Sequence, residues 1–413
     1  MTLIKTSILT AISTIIKVIS GFLITKIVAV HLGPSGLAII GQLQNFVNMV
    51  SNLSNGAITK GIIKYTADSH TIKEKQSLFS TSLKISVLTG FIISLFLGLF
   101  SKYIALELFG NSDLQSVIYV FSVSIIFYSL NTLLMSILNG QKEIKKYILS
   151  NISNSLVSLF LIIFLTISIG LEGALYGLVT SQSIVFFVTL FFVAKSEWFS
   201  LEYFNQEFNL KIAKKLSHYS FMAAISIIFS IGSILYVRSY IGNNISWDNA
   251  GYWQGIMYIS DAYLLIVTMS LSVYYLPRLS EIDNNTELLM EVLNGYKFIL
   301  PFIILIALLV FVSKSYIVDI LFTESFYPMI ELFKWQLIGD VIKISAWLLS
   351  YVFLAKAMTK LFVYTEILFS ILFVILSILA IEQFGLIGVT YAFTLNYIFY
   401  LITMIILYNR NFK

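Results

Sequence analysis

Residues 148–194 read ILSNISNSLVSLFLIIFLTISIGLEGALYGLVTSQSIVFFVTLFFVA, and the only charge among them is Glu172. A single bilayer crossing needs about 20 apolar residues, so this stretch holds enough for two. It breaks at Gly170-Leu171-Glu172-Gly173. Two glycines flanking an acid suit a turn between helices better than the middle of one. Spans over 148–169 and 172–194 follow. The mark returns about 215 positions later as Gly385-Leu386-Ile387-Gly388, and Tyr176 returns as Tyr391.

Apolar runs of the same length fill the rest of the chain, at approximately 8–30, 36–60, 80–104, 114–139, 217–242, 249–276, 292–313, 328–355, 361–381 and 385–408. The 413 residues are 58% hydrophobic and 11% charged, with mean hydropathy +0.90. A soluble chain needs about 25% charged residues to cover its surface. Most of this surface must therefore face lipid, and no stretch is long enough for a soluble domain. The expected class is an all-α polytopic membrane protein of about 12 transmembrane helices. The first apolar run lacks a small-residue cleavage site and reads as a retained helix rather than a signal peptide.

The chain has no cysteine, which excludes disulfide and thiol chemistry. His31, His70 and His218 are scattered, and no metal-ligand spacing, phosphate-cradling glycine loop or nucleophile motif accompanies them. The reading is therefore not an enzyme. A net charge of +5 is compatible with nucleic acid, but its distribution argues for a membrane. With the N-terminus inside, nineteen of the 26 Lys and Arg fall in inside loops, tails or adjoining helix ends. Two, Lys102 and Lys314, fall outside. Five lie within spans: Lys17, Lys26, Arg238, Lys334 and Lys343. This is a strong positive-inside bias. It places both termini in the cytoplasm and leaves no role for nucleic acid.

Further marks support duplication. Gly36, opening the second span, is matched by Gly251, opening the eighth, and Lys142 and Lys146 by Lys356 and Lys360. An even-numbered unit repeats in parallel about an axis along the membrane normal. The expected organisation is two six-helix lobes in a parallel pseudo-twofold repeat. An N-lobe covers 1–197, a cytoplasmic linker 198–216 and a C-lobe 217–413. The linker mixes charge with Trp198, Phe199, Tyr203, Phe204 and Phe208, which suits an amphipathic surface helix; a plain linker is the alternative.

Polar residues recur at helical spacing inside four spans. Thr6, Thr10, Ser13, Lys17 and Ser20 share a face of the first, and Asn45, Asn48, Asn52, Asn55 and Thr59 a face of the second. Gln254, Tyr258, Asp261, Thr268 and Ser272 share one in the eighth; Gln336, Asp340, Lys343, Trp347 and Ser350 share one in the tenth. Amides facing hydrocarbon without partners are costly, so these faces either bond neighbouring helices or line a polar cavity. Lys17 lies about nine residues into its span, or about 14 Å deep, near the bilayer midplane. Asp261, Asp340 and Lys343 are also well inside. Asp340 and Lys343, three residues apart, have the spacing of a structural ion pair. Lys26 and Arg238 lie near outer span ends and are within snorkelling reach, and Glu366 is close enough to the inner end of its span to reach the interface. Amides, hydroxyls and aromatics suit sugar hydroxyls, whereas Lys17, Lys343, Arg238 and Lys26 suit phosphate or pyrophosphate. A multidrug exporter is the alternative cargo reading, and a membrane glycan polymerase a third.

Three segments add a resemblance: Ala11–Gly36 (AISTIIKVISGFLITKIVAVHLGPSG), Ser246–Leu279 (SWDNAGYWQGIMYISDAYLLIVTMSLSVYYLPRL) and Trp335–Lys356 (WQLIGDVIKISAWLLSYVFLAK). With them the chain resembles the Wzx-type polysaccharide flippases of the multidrug/oligosaccharidyl-lipid/polysaccharide exporter superfamily, especially its lipid III flippase and O-antigen translocase branches. The resemblance implies a V-shaped two-lobed fold. It implies flipping of an undecaprenyl-pyrophosphate-linked glycan, an O-antigen unit or the lipid III of enterobacterial common antigen, from the cytoplasmic to the periplasmic leaflet of a bacterial inner membrane. It also implies alternating access driven by a proton or sodium gradient, with no other cofactor. Membrane lipids, and the polymerase and chain-length proteins of the same pathway, are the partners it implies. The matched positions include Lys17, Lys26, Asp261, Asp340 and Lys343. On this reading Lys17, Lys343, Arg238 and Lys26 take the pyrophosphate, and Asp261 or Asp340 takes the coupling ion. The glycan meets Asn45, Asn48, Asn52, Asn55, Trp253, Gln254, Tyr258, Gln336 and Trp347.

Overall fold

The computed structural model describes residues 3–412, with the side chains of 3–8, 218, 219 and 222 outside the described set. Thr6 and His218, singled out above, fall outside it. Among the described residues the chain is helical, without strands. The first half has α1 (Leu3–Ser54), α2 (Thr59–Asp68), α3 (Ile72–Leu99), α4 (Ser101–Phe109), α5 (Gln115–Gly140) and α6 (Ile144–Ala194). The second has α7 (Leu210–Asn244), α8 (Trp247–Ser270), α9 (Leu276–Glu281), α10 (Asn285–Val312), α11 (Lys314–Leu321), α12 (Phe333–Ala355), α13 (Thr359–Phe384) and α14 (Ile387–Phe412).

Ten of the described helical segments are long and apolar enough to cross a membrane. The expected spans number more because α1 and α6 each carry two of them. Their 52 and 51 residues would extend about 77 Å, against a hydrocarbon core of about 30 Å. Each breaks in the middle. Gly33 has φ 65°, ψ −166°, and Gly170 has φ 68°, ψ −140°. Gly385, between α13 and α14, repeats that geometry at φ 63°, ψ −147°. This region is essentially glycine-only, so these turns depend on the missing Cβ.

The duplication is written into the backbone. At the end of α5, Glu143 N–H bonds Leu138 O and Lys142 N–H bonds Asn139 O. At the end of α12, Met358 N–H bonds Phe353 O and Ala357 N–H bonds Leu354 O. Both are Schellman caps, with Lys142 at φ 58° and Ala357 at φ 53° in the left-handed position. The structural register thus pairs Lys142 with Ala357, one place from the lysine match expected from sequence. α5 and α12 are also the two segments whose apolar windows are most buried, 61% each. Helices on the lipid side do the opposite: the α10 window is 11% buried, and α3 exposes Leu88, Phe91, Ile92, Leu95 and Phe96.

Two compact units emerge, 1–32 with 39–228, and 33–38 with 229–413. The expected boundaries at 197 and 217 differ from this division, and the reason is local. Residues 198–216 form no separate amphipathic helix. They hold a short 3-10 turn, Leu201–Phe204, and the first residues of α7. Trp198, Tyr203 and Phe204 close around the buried Phe79 of α3 at ring-centroid distances of 5.7, 5.8 and 6.1 Å. Ser80 Oγ donates to Gln206 O at 2.6 Å and accepts from Gln206 N–H at 2.9 Å. Of the linker aromatics, Trp198, Tyr203 and Phe204 are therefore absorbed by the first unit, whereas Phe208 stays exposed.

Glu143 fastens this segment. It accepts from Trp198 Nε1, from Ser196 Oγ at 3.1 Å and from Lys146 Nζ at 2.7 Å. Glu143→Ala should free the 197–209 stretch, red-shifting tryptophan emission and accelerating proteolytic cleavage there. Unchanged cleavage would mean that the aromatic cluster holds without the carboxylate.

Candidate functional site

In the second unit a cavity of about 230 Å³ opens among α7, α8, α12, α13 and α14. Among the described residues that line it, Lys343 carries the one ammonium. The Nζ atom stands 4.8 Å from the ring centroid of Trp347, 5.7 Å from Tyr397 and 5.8 Å from Phe393. Negative ring faces stabilise such a cation, by about 2 kcal/mol or more where water is excluded. The α12 periodicity places Lys343 and Trp347 one turn apart. Phe393 and Tyr397 are one turn apart on α14, which packs against α12. Glu366 of α13 also lines the cavity. Asp261, Asp340 and Glu366 all lie within electrostatic reach of Lys343.

Asp340 is fully buried one turn from Lys343. Its carboxylate does not form the ion pair that the i, i+3 spacing suggested. Oδ2 accepts from Ser260 Oγ at 2.7 Å and from the Tyr263 hydroxyl, and Oδ1 accepts from Gln336 Nε2 at 3.2 Å. Two donors on α8 therefore turn the acid away from the lysine and lock α8 to α12. Asp340→Leu leaves those buried donors without an acceptor and should destabilise the solubilised protein by about 2–5 kcal/mol. Adding Tyr263→Phe should restore part of the loss, because it removes one orphan; thermal unfolding of the single and double variants checks this.

Arg238 is 1% exposed, so it does not snorkel. Its guanidinium lies 5.5 Å from the ring of the fully buried Trp253, and Asp261 is in electrostatic reach. Burial thus holds it inside the second unit, against Trp253. Asp261 is exposed and Tyr258 half-buried on α8, while Gln254 and Gln336 are buried. Trp253 and Trp347 line the cavity. Sequence reasoning assigns no place in the site to Glu366, Phe393 or Tyr397. Glu366 is half-buried against the cavity instead of reaching an interface, and the aromatic pair shows only as a four-residue spacing in an apolar helix.

In the first unit Lys17 is exposed on α1 and Lys26 half-buried. Along the second half of α1, Asn48 and Asn52 are exposed and Asn45 is half-buried. Asn55 is buried and donates to Thr59 Oγ1 at 2.8 Å. The Asn55 end of this stripe is thus buried and closed locally onto the start of α2. Exposed amides at membrane depth require water or ligand opposite them. Within the described residues no group of acidic or histidine side chains could hold a metal ion.

These features define an all-helical, multi-pass membrane protein with a polar, charged cavity inside its second unit. The chain belongs to the polysaccharide biosynthesis protein family, whose model matches residues 3–283. It is 29% identical to the lipid III flippase of Escherichia coli strain K12, over 97% of this chain and 96% of that one. Among solved structures it resembles an inward-facing multidrug resistance MATE family transporter of the MOP superfamily, with TM-score 0.83 and 13% identity, covering 96% of this chain and 94% of that one. It also resembles the lipid II flippase MurJ in an inward closed conformation, with TM-score 0.73 and 18% identity, covering 98% and 87%. At these identities the two structures speak for the fold alone.

Proposed function

We propose that this protein is a flippase for an undecaprenyl-pyrophosphate-linked oligosaccharide, moving it from the cytoplasmic to the periplasmic leaflet of a bacterial inner membrane, with both termini cytoplasmic. The observation that carries the reading is the aromatic-walled cavity around Lys343, in a chain related over nearly its full length to a lipid III flippase. The ammonium takes the pyrophosphate, and Trp347 and Tyr397 offer faces and a hydroxyl to the first sugar. Lys17, exposed on α1, is a first contact for the same group. The accessible part of the amide stripe, Asn45, Asn48 and Asn52, meets the glycan. Polymerase and chain-length proteins of the same pathway receive the product.

Coupling follows from the charge balance of the cluster around Lys343. Asp261, Asp340 and Glu366 stand against Lys343 and Arg238, one acid in excess. One proton or sodium ion neutralises the cluster, and the phosphate displaces that balance on arrival. Unchanged transport in the Asp261→Asn, Asp340→Asn double variant would sink this coupling role.

The test is complementation of cells that lack their common-antigen and O-antigen flippases. Restored surface glycan with cleared lipid-linked intermediates supports flipping. Failure despite normal insertion, together with lowered accumulation of cationic dyes, would favour a drug exporter.

A further inference from the structure

A second cavity, of about 240 Å³, lies within the first unit, between α2, α5 and both halves of α6. Its chemistry differs from that of the Lys343 cavity. Asn131, Asn139, Asn151, Asn154 and Gln182 contribute five amides, and no charged residue lines it among the described residues. Hydroxyls come from Thr59, Thr132, Ser136, Ser150 and Tyr147.

The orphaned atoms say what kind of ligand fits. Asn131 is 6% exposed and Ser150 1%. Asn131 Oδ1, Ser150 Oγ and Asn154 Oδ1 are buried with no hydrogen-bond partner in the protein. An unpartnered buried polar atom costs about 1–3 kcal/mol, and these three, two amide oxygens and one hydroxyl, belong to residues that line one cavity, so an occupant that donates would satisfy them once their side chains turn toward it. An anion donates nothing and finds no cation here. A bare metal ion would need its oxygens drawn into a tight shell at about 2.3–2.6 Å, and this space is too wide. The volume falls below the about 300–1,000 Å³ of drug-sized sites, leaving room for one ring.

We propose that this cavity is a subsite for a single neutral sugar ring, whose hydroxyl or acetamido N–H groups donate to Asn131, Ser150 and Asn154. The proposal rests on the flippase reading and deepens it. Lys343 recognises the phosphate common to every lipid-linked glycan, whereas the amide pocket reads one sugar and so contributes to substrate choice.

Binding is measurable without transport. The purified protein in nanodiscs would be probed by saturation-transfer NMR with a panel of a hexose, an N-acetylhexosamine and a 6-deoxyhexose, against sorbitol. At least one sugar should give a saturable signal that sorbitol does not. Asn154→Leu should weaken it roughly fivefold to tenfold, the weight of one or two hydrogen bonds. Thr132→Val, nearly isosteric and so safe for folding, should weaken it less. Asn411→Ala, on the last helix and not among the cavity's lining residues, should leave it unchanged. No sugar signal, or a signal indifferent to both pocket variants in folded protein, overturns the subsite and leaves a cavity filled by water only. Sugar binding that follows the variants in a chain unable to restore surface glycan would support the subsite and overturn the flippase reading. Restored glycan without sugar binding would do the reverse.

Discussion

Lys343→Ala should insert into the membrane in normal amount and restore little or no surface glycan, with lipid-linked intermediates accumulating. The expected loss is large because two terms disappear together. The ammonium supplies charge-assisted hydrogen bonds to phosphate worth about 1.5–3 kcal/mol. It also draws Trp347, Phe393 and Tyr397 into one wall, at 4.8–5.8 Å from Nζ. The first term alone corresponds to roughly 10- to 150-fold in substrate affinity. Lys343→Arg keeps charge and stacks on aromatic rings, so it should retain more activity than Lys343→Ala. The order matters more than the absolute level. If Lys343→Ala transports as well as the parent, the cavity is not the phosphate site. If Lys343→Arg is as inactive as Lys343→Ala with both proteins folded, shape rather than charge sets recognition. Folding should survive, because the nearby buried acid keeps its hydrogen bonds without the lysine: Asp340 accepts from Ser260, Tyr263 and Gln336.

That separation of Asp340 from Lys343 shows where sequence reading stops. Spacing along one helix says which residues share a face, and both do lie on the α12 stripe. It cannot say which neighbour captures a carboxylate first. Ser260 and Tyr263 sit on α8, nearly eighty positions earlier in the chain, and only the packing brings them in. Arg238 and Glu366 depart from expectation for the same reason. Depth in a span suggests snorkelling for both, yet the structure folds one over Trp253 and the other against the Lys343 cavity. The linker misleads because Trp198, Tyr203 and Phe204 resemble a membrane-facing stripe until Phe79 is seen to receive them.

What is legible is the part governed by local chemistry. Hydropathy reveals the spans, since lipid imposes length and apolarity on each one separately. The glycines at 170 and 385 mark turns, since no other residue adopts that backbone cheaply. The amide pocket lies between these cases. Tyr147, Ser150, Asn151 and Asn154 show helical spacing at the start of α6, but without a charge among them they read as ordinary bundle contacts.

The same glycine marks give the second large prediction, one with an unusual sign. Gly→Ala within a helix normally stabilises, by about 0.5–1 kcal/mol, because alanine loses less backbone entropy on folding. Gly21, where an added methyl group would meet nothing within 4 Å, should behave that way. Gly173 and Gly388 should do the opposite. A Cβ on Gly173 would stand 2.1 Å from the carbonyl oxygen of Leu165, and one on Gly388 2.1 Å from that of Ala380. In both, the obstacle is backbone eight residues earlier, across the turn made by Gly170 or Gly385. A flexible side chain could swing aside; a helix carbonyl moves only with its helix. Gly173→Ala and Gly388→Ala should each therefore cost more than the about 1–3 kcal/mol of ordinary core overpacking. Thermal unfolding in detergent and the yield of monodisperse protein would both fall. Because the two turns are copies of one design, the two losses should be of similar size. The sites lie in different units, so the double variant should show their sum. A neutral Gly388→Ala beside a damaging Gly173→Ala would mean that the second copy has drifted from the packing its glycines record.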